Sequence, residues 1–195
     1  KILDTVFQDY PKELHEDFRC TPGGVNGPDF MLSTVIKKKF PFAVECKKTE
    51  TLTLKSAWIQ ALSHVLSERN YLFPLIIFSK KNTPSRVILE WNPYKTMGVS
   101  SLQKVYNEDR KAFDKFEAPT PTVFNYKGFI LCLDSLDNFL DIVKDKTPEY
   151  WETFQEDYQN KVYIKRREKL YLELTSGDVI DSLETTETPF FLRKG

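Results

Sequence analysis

The chain is short of several things that would have announced a class. Over 195 residues there are three cysteines, two histidines and seven glycines, and the formal net charge is zero. Cys20, Cys46 and Cys132 are odd in number and lack metal-ligand spacing, which fits a reducing cytoplasm better than a disulfide scaffold. No apolar run approaches the roughly 18 residues that cross a bilayer, and no basic segment followed by an apolar one opens the chain. A soluble, cytoplasmic protein without a membrane partner is the expectation. There is no Walker motif, dinucleotide fingerprint, zinc spacing or internal repeat. The neutral balance carries no global sign of a nucleic-acid partner.

What is present describes a globular protein: 41% apolar, 14% aromatic and 29% charged residues. The length suits one full core with an elaboration. The expected organisation is a core over 1–92, a sheet and helix extension of the same domain over 93–146, and a C-terminal helix and tail over 147–195.

Two short pieces stand out, Gly27-Pro28-Asp29-Phe30 and Phe42-Ala43-Val44-Glu45-Cys46-Lys47. The second suits a strand, and side chains alternate across a strand with period 2, so Glu45 and Lys47 share a face. A carboxylate and an ammonium on so apolar a strand are costly without partners. With Phe30 to Ile36 as a strand, a turn at Lys37-Lys38-Lys39 and a return through Phe40 to Lys47, Asp29 comes near Glu45. Two converging carboxylates repel unless a cation sits between them, and hard oxygen ligands select Mg²⁺ or Mn²⁺. A lysine beside them can orient a water or neutralise charge on a phosphate. The chemistry implied is phosphodiester hydrolysis. Lys37, Lys38, Lys39 and Lys48 near this site, Lys81 after a later strand, and Arg19 just before the glycine-rich stretch 21–28 are candidate phosphate contacts. Lys165-Arg166-Arg167 forms a further basic cluster. Solvated loop lysines are the alternative reading of each.

The order Pro-Asp, then Glu-X-Lys, with Phe18-Arg19-Cys20-Thr21-Pro22-Gly23-Gly24 before it and a helix carrying Gln60 after it, resembles the PD-(D/E)XK nuclease superfamily. The likeness is to its small phage and bacterial members, relatives of Holliday-junction resolvases, and covers Tyr10 to Trp91. It implies an α/β fold, a mixed central sheet flanked by helices in the order α-β-β-β-α-β, with a C-terminal helical elaboration. It also implies Asp29, Glu45 and the Cys46 carbonyl as ligands of Mg²⁺ or Mn²⁺, with Lys47 and Gln60 completing the catalytic set. A further acid on the first helix belongs to the pattern. Asp4, Asp9, Glu13 and Glu16 are candidates, or it lies upstream, because the first helix opens without a cap and the chain reads as a trimmed piece. DNA, branched or recombinational, is the implied substrate, cut by a homodimer in the host cytoplasm if the gene is a phage's. An RNA-cutting viral endonuclease domain and a catalytically silent interaction module remain alternatives.

Along the chain, periodicity predicts helices over 1–10, 52–69, 100–117 and 135–143, and one from Thr147-Pro148 running as far as Gly177. Strands are expected near 17–20, from Leu75 to Phe78, over 86–91 and as a hairpin over 122–124 and 128–133. His64 is given a surface or edge role, since one histidine without a second nearby makes a poor transition-metal site. The aromatic stripe Tyr150, Trp151, Phe154 and Tyr158 is read as core packing, with stacking on nucleic acid as the alternative.

Overall fold

A computed structural model describes residues 2–7, 18–20, 28–67, 72–99, 104–106, 115–159 and 163–176. Helix α1 (Ile2–Val6) is followed by strands β1 (Phe18–Cys20) and β2 (Phe30–Leu32), which pair antiparallel as a two-stranded sheet of their own. Next come α2 (Thr34–Lys39), β3 (Phe42–Lys48), α3 (Leu54–Ser67), β4 (Phe73–Ser79), β5 (Arg86–Glu90) and α4 (Trp91–Met97). The remainder is β6 (Lys104–Tyr106), β7 (Thr122–Tyr126), β8 (Phe129–Ser135), α5 (Leu136–Val143), α6 (Pro148–Gln159) and α7 (Tyr163–Ser176). Six strands form one sheet in the order β3-β4-β5-β8-β7-β6. β3 and β4 run parallel, joined through α3 as an apolar crossover demands, and so do β6 and β7, while the other neighbours are antiparallel. This is an α/β fold with a mixed central sheet.

Period-2 alternation sorts the strand residues between two cores. Val44, Leu75, Val87, Leu89 and Cys132 join one with α1, α2, α5 and α6 residues, among them Val6, Ile36, Phe139 and Trp151. Ile76, Phe78, Ile88, Leu131 and Leu133 join the other, beneath the α3 stripe Leu54, Ala57, Trp58, Ala61 and Leu62 and beneath Leu174 of α7. The sheet is thus covered on both faces, which explains why β4 reads as a continuous apolar run.

Several expectations are corrected. Thr34–Lys39 is a helix, not strand and turn. Ser33 caps it by accepting from the Ile36 N–H at 3.4 Å, and the three lysines occupy its last turn, where the macrodipole favours cations. A helix therefore stands between β2 and β3, and the first two strands do not ladder into the main sheet. β4 begins at Phe73, ahead of Pro74. Val105 and Tyr106, read as helical, lie in β6, and Lys115 to Glu117 form a turn, the rest of 100–117 lying outside the described residues. The helix expected to run from Pro148 to Gly177 is two, α6 and α7. α4, which the periodicity does not signal, follows β5 directly and ends at Gly98, whose φ of 115° supplies the left-handed turn. The helix over 1–10 is described only as α1, and the tail 178–195 lies outside the described residues.

Candidate active site

Strand β3 is an edge strand of the six-stranded sheet. Because Val44 faces the α5 and α6 side, alternation turns Glu45 and Lys47 to the α3 face, beside the register partners Ile76 and Phe78. Glu45 is 4% exposed. Its carboxylate is met by Lys47, whose Nζ donates to Oε1 at 2.5 Å. The other oxygen, Oε2, faces His64 Nε2 of α3 at 3.8 Å. Burial pushes the Glu45 carboxyl up, but His64 and Lys47 together outweigh it and hold it below its ordinary value.

Asp29 lies along the free side of β3. Its N–H donates to the Val44 carbonyl at 2.9 Å, and its Oδ2 accepts from the Cys46 N–H. These bonds bracket Glu45 on the strand. The carboxylate so placed covers main-chain groups that β3, at the sheet's edge, cannot pair with another strand. The Cys46 carbonyl leaves the strand on the same side as its N–H, the side that Asp29 occupies.

The structure brings Lys47 and His64 to Glu45, and Asp29 to the same stretch of backbone. Gln60 is exposed on α3 one turn before His64, and its main-chain carbonyl accepts from the Ser63 hydroxyl at 2.7 Å. His64, assigned from sequence to a surface or edge, is turned inward, with 15% of its side chain exposed. The signal is available in the spacing, since His64 lies three residues after Ala61 and one before Val65 and so borders the buried stripe of α3.

The basic residues disperse. Lys38 faces Glu152 of α6 at 3.8 Å, an exposed pair, and Lys39 Nζ donates to the Lys144 and Lys146 carbonyls in the connection between α5 and α6 at 3.0 and 2.7 Å. Lys37 is half-buried on α2, while Lys48 is exposed at the end of β3 and Lys81 in the turn before β5. Arg19 is exposed on β1, opposite the exposed Met31. Of the third cluster, Arg167 is buried against Glu90, and Arg166 donates to the Gly128 carbonyl at 3.3 Å. Trp151 and Phe154 are core residues: the Trp151 ring meets Phe42 edge-on with centroids 5.6 Å apart, and its Nε1 donates to the Lys39 carbonyl. Tyr150 packs against them, half-buried, while the Tyr158 side chain lies outside the described residues. Asp4 falls on α1, and Asp9, Glu13, Glu16 and the loop 21–27 lie outside the described residues.

No group of three or more His, Cys, Asp or Glu side chains set to hold one ion occurs among the described residues. The hard donors at hand are the Glu45 and Asp29 carboxylates and the Cys46 carbonyl, a set whose chemistry suits Mg²⁺ or Mn²⁺ with water filling the remaining positions. No helix among the described residues is long and apolar enough to cross a membrane. No protein-family model, curated protein or solved structure matches this chain.

Proposed function

We propose that the chain is a divalent-metal-dependent nuclease with a restriction-endonuclease-like core, hydrolysing phosphodiester bonds in DNA in preference to RNA. The observation that carries the proposal is the pairing of Lys47 with the buried Glu45 on one strand, while Asp29 is bonded to the main chain on either side of Glu45. A buried carboxylate held ionised by neighbours is what a cation site asks for, and it is costly on an apolar sheet otherwise.

Glu45, Asp29 and the Cys46 carbonyl would hold the ion. When bound, a divalent ion activates water and offsets negative charge on phosphorus oxygens. Lys47 holds Glu45 in place and presents an ammonium at the same point, where it opposes charge that grows on the phosphate in the transition state. With 32% of its side chain exposed, Lys47 is open to a substrate at the sheet's edge.

A second reading, a catalytically silent interaction module on this scaffold, is favoured by one observation: both acids already have protein partners, Glu45 in Lys47 and Asp29 in the Cys46 N–H. The two readings separate on linear, supercoiled, single-stranded and four-way-junction DNA and on RNA, each incubated with Mn²⁺. The nuclease reading expects cleavage that Asp29→Asn, Glu45→Gln and Lys47→Ala each reduce by about 100-fold or more. Unreduced cleavage in any two of these variants overturns it. Absence of any cleavage, with Mn²⁺ binding no tighter than in Glu45→Gln, selects the silent module.

A further inference from the structure

The side of Glu45 that Lys47 leaves open is shared with an imidazole. We infer that His64 is a nitrogen ligand in the proposed metal site, and that it makes the site select a transition-metal ion of the Mn²⁺ class over Mg²⁺. This rests on the nuclease reading's metal site and specifies which ion fills it.

Three observations carry the inference. First, Lys47 takes Oε1, and this fixes the carboxylate so that Oε2 is the oxygen facing α3. Second, the gap between Oε2 and His64 Nε2 is 3.8 Å, too long for a hydrogen bond. Two donors about 2.1 Å from one ion stand about 3.0 Å apart at a right angle and about 3.4 Å apart at the tetrahedral angle. The observed gap is about 0.8 Å wider than the right-angle separation and about 0.4 Å wider than the tetrahedral one, a difference that a side-chain rotation of His64 closes. Third, both side chains are largely withdrawn from solvent, 5% exposed for Glu45 and 15% for His64, so the space between them is not part of a solvated surface.

The chemistry then sets the preference. Mg²⁺ holds to oxygen donors and gives up water reluctantly, whereas imidazole nitrogen suits the transition ions. Glu45 and the Asp29 side of β3 would serve either ion, and His64 discriminates between them. His64, one turn beyond the exposed Gln60 on α3, is the nitrogen donor facing the Glu45 carboxylate.

The test is calorimetric titration of the full chain with Mn²⁺ and with Mg²⁺, separately, for the wild type, His64→Gln and Glu45→Gln, together with pulsed electron paramagnetic resonance of the Mn²⁺-loaded wild type. The expected result is a preference for Mn²⁺ of roughly tenfold or more, lost in His64→Gln. An imidazole nitrogen coupling on Mn²⁺ is expected in the wild type, a readout that does not depend on how a variant folds. Mn²⁺ bound without nitrogen coupling, or an unchanged preference in His64→Gln, overturns the inference and leaves the nuclease reading standing. Failure of the wild type to bind either ion, or unaltered binding in Glu45→Gln, overturns both.

Discussion

Arg167 of α7 grips Glu90 at the end of β5 with two nitrogens, Nε at 3.3 Å from Oε1 and Nη2 against Oε2, while its Nη1 donates to the Leu72 carbonyl at 3.1 Å. The guanidinium side chain is 4% exposed. Its partners come from the entrance to β4 and the exit of β5, so one side chain clamps α7 across two strand ends.

Truncating a buried pair on one side leaves a charge without compensation, at a cost of about 3–5 kcal/mol. Arg167→Ala is expected to lose that much in urea denaturation with an unchanged m-value. Arg167→Met combined with Glu90→Leu is expected to recover most of it, because neither charge is then stranded. A loss under about 1 kcal/mol in the single variant would show that the pair is solvated in practice.

Glu45 gives the fold an acid limb. Its carboxyl lies below the ordinary value, with burial opposed and outweighed by His64 and Lys47. The unfolded chain therefore takes up this proton at a higher pH than the folded one. The stability from Glu45 is complete above the ordinary carboxylate range, near pH 4.3, and is lost as pH falls through the lower folded value. Denaturation midpoints measured from pH 7 down to pH 3 should fall more steeply for the wild type than for Glu45→Gln. Parallel curves would contradict a carboxyl held low in the folded state.

At the opposite extreme stands Tyr94. Its hydroxyl donates to Asp134 Oδ2 at 2.7 Å, and Asp134, 1% exposed, also accepts from Asn138 Nδ2 and the Ser135 N–H. Burial, then the Asp134 charge and hydrogen bond, raise the phenol far above its ordinary value. The unfolded chain loses this proton first, so the stability from Tyr94 is whole below about pH 10 and declines above it. Ultraviolet titration should show one tyrosine that ionises only with unfolding. Tyr94→Phe is expected to cost about 1–3 kcal/mol and to abolish that late step.

The hairpin between β7 and β8 turns on Lys127 and Gly128, with φ of 46° and 83°, both left-handed as a two-residue hairpin turn requires. A Cβ on Gly128 would stand 2.6 Å from Leu170 Cδ2. Gly128→Ala is expected to cost about 1–2 kcal/mol, partly relieved in Leu170→Ala, while Lys127→Asn is expected to stabilise by a few tenths. Thermal melts of the wild type and these variants decide it, and a Gly128→Ala melt matching the wild type would exclude strain at the turn.

Legibility from sequence follows the length of the signal. The α3 stripe, the apolar β4 run, the returning β5 and the 122–133 hairpin carry periodicity over many residues, and all are present. Alternation alone puts Glu45 and Lys47 on one face, and they meet. The Thr34–Lys39 segment misleads because its β-branched start suits a strand, while the deciding interaction is a single Ser33 cap and the burial of Ile36. β6 has three residues, too few for any period to declare itself. Charge clusters mislead for another reason: Lys39 and Arg167 look alike as solvated cations in sequence, and only packing against carbonyls of the α5–α6 connection or against Glu90 gives them structural work. His64 is easily discounted for want of a second histidine, although its neighbour in space is a carboxylate nineteen positions earlier.

The strand order has a practical meaning for anyone dividing the chain. β5 is flanked by β4 on one side and by β8, from more than forty residues later, on the other. A protein stopped after residue 92 would turn that interior strand into a bare rim of unpaired amides and carbonyls, an invitation to self-association. The segment carrying Asp29, Glu45 and Lys47 has to be made and handled together with the later strands that complete its sheet.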